Sequence, residues 1–165
     1  MSGDSRLARL AALPAREGRP PRMTPANPQE QLEQFPEDWG LIERLCKFGF
    51  ALPGVVERPT RIAPDGSRAM TLRAGLPGNP DAFLVAREFA HVHNPPVGSL
   101  HMTMPPPARD LAVSKGWALR HPFAVRGIGP AGAVFVYAPR DEDELRAATL
   151  LLEISHAWAC EPERR

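Results

Sequence analysis

Four of the five histidines in the chain lie between residues 91 and 121, and they are the side chains best suited to chemistry. Imidazole changes its charge near neutral pH and also binds zinc, iron and copper. His91 and His93 are two residues apart, so on an extended strand both project from the same face. His101 joins them if the next strand is antiparallel, because opposed side chains then lie about 5 Å apart. The spacing therefore predicts three converging imidazoles, with His121 further along the chain.

A carboxylate stands close to this cluster in the sequence. Glu88 lies three residues before His91 and could hold one imidazole tautomer, or complete a set of two histidines and one carboxylate. The expected catalytic residues are thus His91, His93, His101, His121 and Glu88.

The cluster is compatible with three kinds of function. A metal held by His91, His93 and His101 would keep an open position for water, oxygen or substrate. A metal-free histidine would instead take a proton from an acidic enol or phenol, while a cation holds the resulting anion. In a binding domain without catalysis, the histidines would hydrogen-bond a small molecule or the backbone.

Other polar residues are weaker candidates. Lys115, Arg120 and Arg140 are the candidate cations, and Arg140 follows a predicted strand, where site residues often lie. Tyr137, the only tyrosine, fits a core role as well as a catalytic one. His156 lies on the polar margin of the last predicted helix, and we expect a packing role for it.

Composition restricts the class of protein and its partners. A length of 165 residues fits one domain, and a net charge of +1 provides no field for binding nucleic acid. Cys46 and Cys160 are far apart and form no CxxC motif, which is typical of a reducing cytoplasm. No apolar run approaches the roughly 20 residues of a membrane helix, so we expect a cytoplasmic protein without a membrane partner. Arginine strongly outnumbers lysine, which favours a GC-rich, bacterial genome.

The order of the predicted elements gives the fold class. Residues 1–35 are rich in proline and arginine and predict a flexible arm without a helix, and residues 161–165 a tail. Between them, residues 36–160 predict a single α+β domain, with an antiparallel sheet of four to five strands and helices packed on one face. We expect helices at 36–49, 108–115 and 141–160, and strands at 55–62, 69–73, 89–93, 99–104 and 133–138.

Several separated motifs occur together in the second half of the chain. They are Glu88-Phe-Ala-His-Val-His93, Ser99-Leu-His101, Lys115-Gly-Trp117, Arg120-His-Pro122 and Tyr137-Ala-Pro-Arg140. In this order they resemble the fungal luciferases, which oxidise 3-hydroxyhispidin, and bacterial luciferase-like chains of the same domain family. The resemblance covers roughly residues 85–160.

This resemblance implies an oxygenase that adds dioxygen to a small enolic or aromatic compound of hydroxypyrone type. It implies no cofactor beyond O2, with a divalent metal as the alternative, and a small-molecule substrate as the partner. Histidine would act as the base, and cations would stabilise the anion. The residues expected to bind substrate are Lys115, Trp117, Arg120, Tyr137, Arg140, Phe89 and Met102.

Overall fold

Alternating side chains divide the sheet of this protein into an apolar face and a face that carries the histidines. The structure is a computed structural model and describes residues 3–162. Leu100 and Met102 point into the helix-covered core, whereas His101 and Thr103, between and beyond them, point to the opposite face. The same alternation places Val134 in the core and Phe135 beside the histidines. The sheet therefore has one face that packs against the helices and an opposite face, called here the chemical face, that carries the histidines.

Six antiparallel strands form one open sheet within the described residues, in the order β1-β2-β3-β4-β6-β5. Their bounds are β1 Val55–Pro59, β2 Arg68–Leu72, β3 Glu88–Val92, β4 Leu100–Thr103, β5 Ala118–Arg120 and β6 Ala133–Val136. The predicted α+β class is confirmed, with one strand more than expected. The additional strand is β5, which has only three residues and therefore carries little alternation in the sequence.

The same part of the chain contains five α-helices and a short 3₁₀ helix at Pro80–Ala82. The helices are α1 Gly3–Ala12, α2 Gly40–Ala51, α3 Pro106–Ser114, α4 Pro122–Val125 and α5 Glu142–Ala159. None of the helices in residues 3–162 is long and apolar enough to cross a membrane.

The last helix organises the apolar core. Asp141 caps α5, since its Oδ1 accepts a hydrogen bond from the Glu144 N–H at 2.9 Å. The helix packs across β3 and β4 and also contacts α1 and α2. Its stripe contains Leu152 and Ala159, both fully buried. This packing fixes the two strands that carry the histidines.

The predicted first helix is displaced by a few residues. α2 begins at Gly40 instead of Pro36, and Gly49 lies inside it instead of ending it. A Cβ on Gly49 would collide with Met70 of β2 and approach Leu152 of α5. Glycine is therefore required for close packing, which local sequence does not reveal.

Residues 1–35 differ most from expectation. Where a flexible arm without helix is predicted, α1 packs against α3 and α5, Leu10 is fully buried, and Arg6 and Arg9 form ion pairs with Glu153. The prolines act only after this helix has ended, because the first of them is Pro14.

Residues 13–34, called here the N-terminal strap, then run across the domain. Pro14 O accepts a hydrogen bond from Trp117 Nε1 at 2.9 Å, and Gln31 Oε1 accepts one from the Ala138 N–H at 3.0 Å. Gln31 is almost fully buried. The strap is thus attached at both ends. Of the predicted tail 161–165, residues 163–165 lie outside the described residues.

Candidate active site

Three imidazoles converge on the chemical face of the sheet, as their spacing predicts. His91 and His101 are directly opposed in the register of β3 and β4, and His93 follows the end of β3. The ring centroids lie 5.0 Å apart for His91 and His101, 5.0 Å for His93 and His101, and 5.4 Å for His91 and His93. Potential ligand nitrogens of all three lie within 4.8 Å of one another.

Glu88 reaches the cluster because β3 contains an irregularity. Side chains three apart on a regular strand face opposite ways. Here Ala90 pairs with Met70 and Glu88 pairs with Thr71, so one extra residue of β3 is accommodated between them. Such a β-bulge redirects side chains. Glu88 Oε1 consequently lies 2.7 Å from His91 Nδ1 and also accepts a hydrogen bond from Thr60 at 3.1 Å.

Two ring nitrogens of the cluster lack partners. Within the described residues, His91 Nε2 and His101 Nε2 are buried and form no hydrogen bond. Leaving a buried polar group unpaired costs about 1–3 kcal/mol, so such atoms are rare in native proteins. Unpaired nitrogens that belong to neighbouring rings indicate a site for a ligand.

Burial keeps His93 and His101 neutral. Loss of solvation, together with the nearby His91, lowers the pKa of His93 to about 3. Burial also sets the pKa of His101 well below its ordinary value, helped by His91 and His93 and opposed by a backbone hydrogen bond to Gln29. At neutral pH these rings therefore present lone pairs instead of positive charge.

His121 joins the cluster from the side. Its ring centroid lies 5.0 Å from that of His101, and its Nδ1 accepts a hydrogen bond from the Phe123 N–H at 3.1 Å, which caps α4. Since Nδ1 is the acceptor, the hydrogen of the neutral ring lies on Nε2. Burial lowers the pKa of His121 as well.

The histidines line a cavity of about 660 Å³, within the range typical of small-molecule sites. His93, His101 and His121 contribute to its wall, whereas His91 is fully buried behind them. The remaining wall comes from the strap, the β1–β2 loop and the loop after α4. Its side chains include Asn27, Pro28, Gln29, Arg61, Ile62, Leu84, Phe123 and Ile128.

Three predicted substrate-binding residues anchor the strap instead of meeting the histidines. Lys115 Nζ donates to Leu13 O, and Arg140 forms an ion pair with Glu144 and donates to Glu17 O. Trp117 donates to Pro14 O. None of the three is among the residues that line the described histidine cavity.

Tyr137 belongs to the same anchoring region. The Arg16 guanidinium lies 5.0 Å from the centre of its ring, and the Phe135 ring packs against both Tyr137 and His101. Burial raises the pKa of Tyr137.

Phe89, Met102 and Arg120 lie on the other side of the sheet. Met102 and Phe89 are fully buried in the core, and the Phe89 ring contacts His156. Arg120 pairs with the core residue Val134, which places its side chain on the helix face. The β-bulge explains Phe89, because it puts two successive side chains, Phe89 and Ala90, into the core.

Several residues that pack against the histidines or line the cavity escape sequence reasoning. The Phe135 ring packs 5.1 Å from His101 and 6.1 Å from His93, and the alternation of β6 could have identified it. Gln29 and Arg61 come from distant loops, and no local pattern marks them as site residues.

A larger cavity of about 1170 Å³ lies on the helix side of the molecule. Its lining includes Pro106, Trp158 and Phe83 and contains no histidine. By volume alone, this larger cavity would be the candidate active site. The unpaired histidine nitrogens favour the histidine cavity as the active site instead.

Comparison with known proteins finds a family model that matches the part of the chain carrying the histidines. Residues 86–155, which carry His91, His93, His101 and His121, match the family model "Luciferase domain". The chain is 29% identical to luciferases of Armillaria gallica and Neonothopanus nambi, over 88% of its own length. The similarity thus extends beyond the expected residues 85–160.

The chain spans 60% of the length of these relatives. No solved structure matches it. Residues 86–155 thus match the luciferase-domain model, and the chain as a whole is similar to the fungal luciferases.

Proposed function

We propose that this protein is a luciferase-like oxygenase that adds dioxygen to a small enolic or aromatic compound of hydroxypyrone type. One observation carries the proposal: His93, His101 and His121 line a cavity of suitable size in a chain similar to fungal luciferases. Apolar side chains such as Ile62, Leu84 and Phe123 make up much of the remaining wall and suit a planar ring.

The first chemical step is removal of the proton from the enolic hydroxyl. His101 Nε2 is the acceptor, because it is unpaired and its ring lines the cavity. The O–H bond breaks, an N–H bond forms, and the electron pair remains on the substrate. The electron-rich ring then supplies the electrons for a new bond between a ring carbon and dioxygen.

The developing negative charge needs a hydrogen-bond donor. The Nε2–H of His121 is suited to this role, since its Nδ1 is occupied by the Phe123 N–H. Arg61 is the cation in the lining of the cavity. These two residues replace Lys115, Arg120 and Arg140 in the proposed mechanism.

Oxygen consumption tests the proposal independently of light emission. Wild-type protein, with and without added divalent metal, is mixed with a panel of 3-hydroxypyrones in an oxygen electrode. We expect uptake that depends on both enzyme and substrate. His101→Gln should lower kcat by roughly 10²–10⁴-fold, the usual contribution of a positioned base. His121→Asn should keep the helix cap and still lower kcat.

His156→Gln is the matched control, because His156 is a buried histidine outside the cluster. Its kcat should stay near that of the wild type. If no panel member supports uptake by the wild type under either metal condition, or if His101→Gln remains fully active, the proposal is wrong.

A further inference from the structure

The inner three histidines have the donor set and arrangement of a transition-metal site. Their potential ligand nitrogens lie within 4.8 Å of one another, and all three side chains are more than nine-tenths buried. We infer that His91, His93 and His101 bind one divalent transition-metal ion, with Glu88 holding His91 in its ligating orientation.

Each ring has a contact that leaves Nε2 for the ion. His91 Nδ1 is held by Glu88 at 2.7 Å, and His93 Nδ1 lies 3.3 Å from Ser99 Oγ. The His101 ring has a backbone hydrogen bond to Gln29, and its Nε2 is unpaired. In metalloproteins the second nitrogen of a ligating histidine is held in this way by a carboxylate, a carbonyl or another polar group.

The fifth histidine, His156, shows which contacts a histidine with a packing role makes in the same fold. His156 is buried between α5 and the β1 side of the domain, and its Nε2 lies 2.9 Å from Pro53 O. By contrast, His91 and His101 each leave Nε2 buried without a partner. A packing role explains His156 but does not explain two unpaired nitrogens in one cluster.

The arrangement also indicates what kind of ion fits. Three imidazole ligands suit zinc, iron, nickel or copper, whereas magnesium and calcium prefer oxygen ligands. Glu88 is already engaged by His91 and Thr60, so it is a positioning residue here and not the fourth ligand. His93 and His101 line the cavity, which places the open coordination position on the substrate side.

The metal site is inferred from the positions of His91, His93 and His101, and the oxygenase proposal does not require a metal ion. A bound ion would occupy His101 Nε2, so that atom would then not be the base. The ion would instead act as a Lewis acid that favours loss of the enolic proton to water and stabilises the enolate oxygen, with His121 outside the ligand set. The two proposals are separable, because metal binding is measured without substrate and oxygen uptake can be measured without metal.

Metal content of the whole chain tests the inference. The protein is stripped with EDTA, desalted, loaded with Zn²⁺ or Co²⁺, and assayed by elemental analysis and by Co²⁺ absorption. We expect one ion per chain, and a higher Tm in the loaded protein than in the stripped one. His91→Gln and His101→Gln should weaken Co²⁺ binding at least about 100-fold. Glu88→Gln should weaken it about 10–100-fold, as for other residues that orient a ligand.

His156→Gln serves as the control and should bind Co²⁺ as the wild type does. Far-ultraviolet circular dichroism of the stripped variants checks that each is folded. If the wild type takes up no stoichiometric ion, or if His101→Gln binds as tightly as the wild type, the inference is wrong. If His91→Gln does not fold, Glu88→Gln and His101→Gln decide the question. Oxygen uptake at the full rate by the stripped protein would show that the oxygenase reaction does not need the metal ion.

Discussion

At the scale of single residues, the site is made from buried imidazoles, and burial keeps His93 and His101 uncharged. His93 and His101 are almost fully buried, and the loss of solvation lowers both pKa values. Among the three inner histidines, His91 is the one whose ring is held by Glu88. The residue types are predictable from their spacing, whereas their protonation follows from burial, which spacing does not specify.

These lowered pKa values predict a loss of stability in mild acid. The unfolded chain protonates each histidine near pH 6.5, while His93 in the folded protein resists protonation until about pH 3. Stability should therefore be complete above pH 6.5 and fall as the pH decreases toward 3, because the unfolded state then binds more protons. His93 alone should contribute up to about 1.4 kcal/mol per pH unit in this window.

Urea unfolding in EDTA at pH 7.5 and pH 5.0 measures this effect without interference from metal. His93→Gln should show a smaller difference between the two pH values than the wild type. An equal difference in both proteins would contradict the assigned burial of His93.

At the scale of elements, the strands carrying the histidines follow from the sequence pattern and the irregularities do not. The alternation of β4 predicts that His101 and Met102 lie on opposite faces of the sheet, as they do. Glu88 is identified by its proximity in sequence, although a regular strand would direct it away from His91. The β-bulge brings it back and turns Phe89 into the core. Because a bulge depends on the partner strand, local sequence gives little sign of it.

Helix α2 gives a prediction at this scale. Gly49→Ala should destabilise the fold by about 1–3 kcal/mol, because the added Cβ would collide with Met70 and Leu152. Lys47→Ala, an exposed substitution in the same helix, should change stability by less than about 0.5 kcal/mol. Thermal and urea unfolding of the two variants make the comparison. Equal stability of Gly49→Ala and the wild type would show that α2 packs less closely than described.

At the scale of the whole molecule, the strap closes the site from outside the strands that build it. Residues 27–29 of the strap line the cavity. The strap is held by Lys115, Trp117 and Arg140, which the sequence led us to expect as substrate-binding residues. These three residues therefore contact the strap and not the cavity itself. Contacts between residues more than 100 positions apart in the chain cannot be deduced from local patterns, which is why the sequence alone does not reveal this anchoring.

The similarity to the fungal luciferases extends beyond the matched domain. It covers 88% of the residues, more than the matched domain at 86–155, and so includes part of the chain before the domain. The shared motifs draw attention to the histidines. They give no information on the N-terminal strap, since the resembling motifs all lie after it.

The central claim is that the reaction takes place in the histidine cavity on the chemical face of the sheet. A crystal structure of the protein soaked anaerobically with a 3-hydroxypyrone tests this most directly. We predict that the ring lies in the 660 Å³ cavity, with its hydroxyl oxygen facing His93, His101 or His121. A ring bound instead in the larger groove beside Pro106 and Trp158, or no bound ring at saturating concentration, would contradict the claim.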